Sequence, residues 1–379
     1  MRQEHFPRVW DWMDRLRLDG ALLSDPESVC YLTGYANPAD TSFPFKGCPL
    51  LVFVVQGYEP VAMVPCSEEA DFRKSSWVRT VFTYSNYDFR RAVDIAQVAL
   101  ESIVVLMKRD RFASGRIGYE ALHLPACLYE GLREQFGRIY WIDVGHRLAR
   151  LRAVKTPDEL ESICRAAHLC DVGQARVREL TAPGMTEIAI FSDARACMEQ
   201  AAGQRIHVAG DLVTGERSGV DGGGLPGADS LVPGDLLISD LVPRLSGWWG
   251  DSCATLAVGE PSAERRQIHR LVADAFQIGR DVAKPGLKAS ELDAHVRGYL
   301  EKHGFHYHHH TGHGVGVAQA EAPWIVPDND EVLKENMVIT LEPGTYPGGR
   351  GGVRIEDLFL VTRDGLEALT HHDKRLCAG

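Results

Sequence analysis

The sequence predicts a two-domain α/β (α+β) protein, and three features point to it. At 379 residues the chain is long for a single domain, on a prior of about 150 residues each. Up to residue 153, short apolar runs alternate with helical patterns, as in a compact α/β unit. From Thr156 onward long helical segments dominate, with strand-like segments between and after them. Residues 1–153 are therefore read as a smaller amino-terminal domain and residues 154–379 as a second domain that carries the chemistry.

In the first domain, helical patterns at about His5 to Leu18 and Arg91 to Lys108 flank runs that read as strands. These runs are Gly20 to Ser24, Tyr31 to Gly34, Leu50 to Val55 and Val61 to Val64. Arg150 to Ala153 marks the boundary. Beyond it, Thr156-Pro157 is a helix start signal and Pro183-Gly184 a stop, which predicts one long helix between them. A second helix begins at Thr186, a third covers about Ser262 to Val282, and a fourth about Ser290 to His303. Leu236 to Val242, Ser252 to Val258, Val338 to Glu342 and Val353 to Val361 read as strands, and a mixed sheet with helices on one side is the simplest packing.

Composition narrows the function. With 45% hydrophobic and 25% charged residues, neither disorder nor a fibrous architecture fits. The balance of 41 basic against 52 acidic residues, a net −11, argues against nucleic acid or an anionic membrane as the main partner. The longest apolar stretch, Pro49 to Val55, is far below the roughly 18 residues of a membrane span. The start MRQEHFPRVWDW lacks the apolar core of a signal peptide, so a cytoplasmic location is expected. Nine cysteines without any C-x-x-C pair suggest buried thiols rather than a disulfide framework or a cysteine zinc site.

Carboxylates stand where apolar strands should be apolar. In GDLLISDLVPRLSGWWGDSCATLAVG, Asp240 shares a strand face with Leu236 and Ile238, because side chains repeat every two residues. Asp251 follows a turn-like PRLSGWWG, so a hairpin would bring both carboxylates to one sheet end, where two anions need a proton or a cation between them. On this segment alone, turn caps or arginine pairs explain the two residues equally well. In YHHHTGHGVGVAQAEAP, glycines on both sides of His313 allow close backbone approach, although a His-rich tract can also be a surface cluster. Glu342 ends the strand of MVITLEPGTYPGG, and Glu356 alternates with Arg354 and Leu358 in GGVRIEDLFLVT. Buried anions are costly unless paired or metal-bound, and four carboxylates with one histidine suit two divalent cations. No H-E-x-x-H, G-x-S-x-G, Walker A or strand-borne G-x-G-x-x-G competes, and GGRGG at 348–352 reads as a turn.

These residues resemble the creatinase, prolidase and methionine aminopeptidase superfamily, the M24 metallopeptidases of pita-bread fold. YLTGY at 31–35, LRAVKTPDELE at 151–161 and PGMTE at 183–187 are similar to that group, and the likeness covers almost the whole chain. It implies a pita-bread catalytic domain behind a creatinase-like amino-terminal domain, and an Xaa-Pro dipeptidase or aminopeptidase activity. It further implies that Asp240 binds one metal, that Asp251 and Glu356 bridge both, and that His313 and Glu342 bind the second. Glu342 would move the proton, and two ions, Mn²⁺ by preference with Zn²⁺, Co²⁺ or Fe²⁺ possible, would activate a water. A homodimer or larger assembly also follows from the resemblance.

Two positions depart from that family. Peptidases of the group use two further histidines, but the position seven residues after His313 is Ala320, and residues 222–227 contain none. His309, His310 or Arg354 could take over their electrostatic role. Trp248, Trp249 and Trp324 flank ligand segments, either as an apolar or cation-binding pocket or as core or dimer filling. The alternative activity is therefore a metal-dependent hydrolase or lyase of a small non-peptide amide, amidine or onium compound, and the remaining one a non-catalytic binding module.

Overall fold

The computed structural model describes residues 5–36, 50–109, 112, 114–220, 223–349 and 351–377. Cys48, Pro49, Gly222 and Arg350, which figure in the sequence reading, lie outside the described residues. The chain divides into two compact units, Met1–Arg152 and Ala153–Gly379.

The first unit is built on a six-stranded sheet. Its order is Thr80–Tyr84, Val61–Pro65, Leu51–Val55, Gly20–Leu23, Gly115–Tyr119 and Ile139–Asp143. Gly20–Leu23 runs antiparallel to Leu51–Val55 and parallel to Gly115–Tyr119. Leu22, Leu51, Phe53 and Met63 form a core with Ile103 and Met107 of the Ile95–Arg109 helix and Leu128 and Leu132 of the Ala126–Gln135 helix.

Two expectations fail here. Tyr31 to Gly34 is no strand: it closes the Pro26–Thr33 helix, which Asp25 caps by accepting from Glu27 N, and which Gly34 ends at φ 73°. Six consecutive residues of that helix, Ser28 to Thr33, are buried, so no exposed face reveals a helical period. The second helix starts at Ile95 rather than Arg91, with Asp94 accepting from Gln97 N.

In the second unit, Thr156 and Glu159 form a capping box at the head of the Pro157–Leu180 helix. The helices Glu187–Ala202, Ala263–Val282 and Ala289–Lys302 follow. The expected mixed sheet is instead four smaller ones among the described residues, and every strand pair described within them is antiparallel. Short connections such as Ser246-Gly247 permit only antiparallel neighbours. PRLSGWWG is itself a hairpin, Val242–Leu245 against Trp248–Trp249, in a sheet separate from the strands on either side of it. Val353 to Val361 breaks into Val353–Arg354 and Asp357–Thr362.

Among the described residues, two larger apolar clusters and a small one at Val213, Ile238 and Cys253 hold this unit. Ala166, Leu169 and Val177 pack with Ile190, Ala194, Leu237 and Leu256, while Val272, Phe276, Val296 and Leu300 pack with Ile339, Leu341 and Phe359. No helix among the described residues is long and apolar enough to cross a membrane.

Candidate metal centre

Strand register gathers the carboxylates. Leu236–Asp240 pairs with Cys253–Ala257 so that Asp240 lies opposite Cys253, which sets Asp251 beside the end of the same ladder. Gln174 Nε2 pins both strand ends, donating to Ser239 O (3.0 Å) and Ser252 O (3.1 Å). Glu356 arrives through a bridge to Cys253, its N–H donating to Cys253 O at 2.9 Å. Glu342 follows Val338–Leu341, and its N–H donates to Thr311 O (2.9 Å). His313 lies in the Gly312–Gly314 strand, between Glu321–Ile325 and Val338–Leu341. The flanking glycines are required there: a Cβ on Gly312 would lie 2.1 Å from Thr340 O, and one on Gly314 2.2 Å from Ala322 O.

The five acidic and imidazole residues singled out from the sequence thus share one buried cluster. Donor atoms of Asp251, His313 and Glu356 lie within 4.8 Å of one another, as do those of His310, His313 and Glu342 and those of Asp240, Cys253 and Glu356. His313 Nε2 is 3.5 Å from Glu342 Oε1 and 3.7 Å from Asp251 Oδ2. His313 Nδ1 donates to Gly314 O at 3.0 Å, and this fixes the tautomer whose Nε2 lone pair faces the carboxylates. Burial drives the imidazole pKa down, which keeps that lone pair available.

The carboxylates show what the cluster lacks. Burial pushes Asp240 up to about 7 despite the Arg354 guanidinium, and burial plus neighbouring anions push Asp251 and Glu356 far above the usual range. Asp240 Oδ1 and Glu356 Oε2 are buried without a hydrogen-bond partner among the described residues. Buried orphan oxygens beside an imidazole lone pair fit a divalent cation. Glu342 behaves differently: burial alone would raise its pKa, but neighbouring imidazoles reverse the shift. His310 Nε2 lies 3.1 Å from Glu342 Oε1, and the Thr340 hydroxyl donates to the same oxygen at 3.1 Å, so both contacts favour the ionised form.

Arg354 joins this cluster. Its Nη2 donates to Asp240 Oδ2 (2.6 Å) and Asp211 Oδ2 (3.1 Å), and its Nη1 to the Tyr346 hydroxyl (3.2 Å). The Tyr346 hydroxyl in turn meets His309 Nε2 at 3.0 Å, while His309 Nδ1 donates to His310 O at 2.7 Å. Both nitrogens of His309 are therefore committed, and burial pushes it down to about 4. Trp324, 41% exposed, has its ring centroid 5.4 Å from His310 and 5.8 Å from His313. Trp249 is placed differently. Its indole N–H donates to Val317 O (3.1 Å), and its ring meets His207 edge-on at 5.6 Å. Ala320 is half-buried, and residues 223–227 are held by Glu187, which accepts from Gly227 N at 2.8 Å.

Sequence reasoning missed Asp211, Tyr346, Gln174 and Cys253. Tyr346 stood inside the quoted string EPGTY, four residues after Glu342. Asp211, in GDLV, carries no motif at all.

Residues 161–363 match the family description "Metallopeptidase family M24", and residues 7–154 match "Creatinase/Prolidase N-terminal domain". The chain belongs to metallopeptidase family M24. This M24 metallopeptidase is 30% identical to an Xaa-Pro dipeptidase of Lactobacillus helveticus, over 97% of each chain. It is 29% identical to a putative dipeptidase of Bacillus subtilis, over 97% of this chain and 98% of that one. Among solved structures it superposes on the prolidase of Pyrococcus horikoshii with a TM-score of 0.83 at 25% identity, covering 99% and 100% of the two chains. An Xaa-Pro dipeptidase from Bacillus anthracis gives 0.84 at 25% identity, covering 99% of each chain. The M24 enzyme is accordingly a metallohydrolase of pita-bread fold.

Proposed function

We propose that this M24 metallopeptidase hydrolyses the Xaa-Pro bond of dipeptides or of short peptides with proline in second position. The reading rests on one observation: a complete set of Asp240, half-buried, with buried Asp251, His313, Glu342 and Glu356, in a chain alike over its length to named Xaa-Pro dipeptidases. Asp240, Asp251, His313, Glu342 and Glu356 would hold the divalent ions, with Asp240 on one side of the cluster and His313 and Glu342 on the other. When bound, such ions acidify a water and polarise the scissile carbonyl.

The protein groups do the rest. Glu342, kept ionised by His310, accepts the proton of the attacking water and passes it to the proline nitrogen as the C–N bond breaks. With Ala320 in place of a histidine, His310 and Arg354 are the cationic or N–H groups that oppose developing negative charge. Trp324 borders the side chain preceding proline. The oxygen-rich donors favour Mn²⁺. Buried reduced thiols at Cys170 and Cys253 suit a reducing cytoplasm, and a homodimer is carried over from the family resemblance.

A second reading, hydrolysis or lysis of a small amide, amidine or onium compound, draws on Ala320 and on Trp324 exposed over the imidazoles. The test is a panel of Xaa-Pro dipeptides, other dipeptides and proline tripeptides, assayed after stripping and reloading with Mn²⁺, Co²⁺ or Zn²⁺. Metal-dependent cleavage confined to Xaa-Pro bonds is expected. Two bound ions without any cleavage favour the second reading. Asp251→Ala must lose metal and activity; full retention of both refutes the ligand assignment.

A further inference from the structure

We propose that Asp211 is a positioning residue for the metal centre: it shares Arg354 Nη2 with Asp240 and offsets the guanidinium charge that a cation held at Asp240 would otherwise face. This rests on the two-ion reading of the centre. A guanidinium 2.6 Å from Asp240 is awkward for a metal ligand: left alone, its charge bears on the carboxylate and on any cation bound there. Asp211 removes that conflict, because the same Nη2 reaches its Oδ2 at 3.1 Å and the pair has no net charge.

The backbone is arranged for this contact. Asp211 O accepts from Asp240 N at 2.8 Å, so the two residues lie side by side whatever the side chain at 211. Gly210, at φ 118°, has no room for a side chain, since a Cβ would lie 2.1 Å from Asp240 O. Gly223, at φ 71°, faces the Asp211 carboxylate itself, with a Cβ position 1.8 Å from Oδ2. The Asp211 side chain is 22% exposed and the Arg354 side chain 6%. The pair therefore stands at the rim of the centre, behind the donor oxygens of Asp240 and outside the groups of metal-donor atoms.

The experiment measures Mn²⁺ and Co²⁺ affinity and stoichiometry on the full chain by calorimetry and chelator competition. Asp211→Asn should bind one of two ions about 10- to 100-fold more weakly, the usual effect of losing a partner that orients a ligand, and Asp211→Glu should restore it. In an Arg354→Met background, Asp211→Asn should have no further effect, which a merely structural role would not produce. Unchanged affinities in Asp211→Asn, or losses that add fully in the double variant, overturn the assignment of Asp211 alone. A parent chain that binds no metal overturns the two-ion reading and this inference with it. If Arg354→Met fails to fold, the contrast between Asp211→Asn and Asp211→Glu decides, and failure of Glu to restore binding refutes the proposal.

Discussion

Lys155 and Glu321 form an ion pair at 2.5 Å whose side chains are each 1% exposed, and its loss should be felt at the metal centre. Glu321 opens the Glu321–Ile325 strand and lies directly opposite Gly314, next to His313. A Cβ on Gly316 would lie 2.5 Å from Glu321 Oε1, so the following loop wraps closely around the carboxylate. Lys155→Met leaves that carboxylate buried without its cation. At such burial the cost is undiminished by solvent screening, and breaking a buried pair from one side costs about 3–5 kcal/mol. For a unit of this size, about 2–4 °C is lost per kcal/mol, which converts to a fall in melting temperature of roughly 6–20 °C. Glu321→Gln should cost a similar amount, since it leaves the buried Lys155 ammonium without the carboxylate it donates to at 2.5 Å. The double variant Lys155→Met/Glu321→Gln should recover most of the loss, because neither buried charge remains. Calorimetric melting of the four proteins, with bound metal counted in each, is the assay. A single variant melting within about 1 °C of the parent, or single losses that simply add, would refute the reasoning.

Other outcomes follow from the same geometry. Asp240, Asp251 and Glu356 have folded-state pKa values raised above their unfolded values, so the folded metal-free protein holds protons that the unfolded chain has released. The contribution of each to metal-free stability is therefore fully present below about pH 4; that of Asp240 is lost as pH rises through about 7, and those of Asp251 and Glu356 as pH rises through their own raised values. Metal binding must expel those protons. Titration at pH 6 in buffers of different ionisation heat should detect proton release, and none would contradict the assigned protonation. Gly314→Ala should cost about 1–3 kcal/mol or more from backbone overpacking and lower the metal content, because its Cβ meets Ala322 O at 2.2 Å; a fully loaded, equally stable variant counts against the packing argument. Trp324→Ala should raise KM for Xaa-Pro dipeptides roughly 2- to 10-fold, the worth of one aromatic contact, with kcat little changed. A fall in kcat at constant KM would instead place Trp324 with the reacting groups.

Much of the centre was legible because strand periodicity converts sequence position into face. Asp240 shares the strand of Leu236 and Ile238, Glu342 ends Val338–Leu341, and a carboxylate at such a place announces itself against apolar neighbours. Helix ends were legible for a similar reason. The Thr156 capping box and the Ser262 cap are local hydrogen bonds, written in adjacent residues. Tyr31 to Gly34 was misread because a helix buried on all sides has no polar stripe. The hairpin in PRLSGWWG was read only as a turn, because pairing strands two and four residues long leaves little pattern.

The order and chemistry of the five clustered residues were therefore determined by the sequence itself, as was the two-part α/β organisation. Tertiary structure alone decided who satisfies whom. Arg354 meets Asp211 across 143 residues, His309 Nε2 meets the Tyr346 hydroxyl across 37, and Lys155 meets Glu321 across 166. Such contacts depend on register and on the packing of distant strands, and a single side chain's identity carries no record of the partner that the fold will bring within 3 Å.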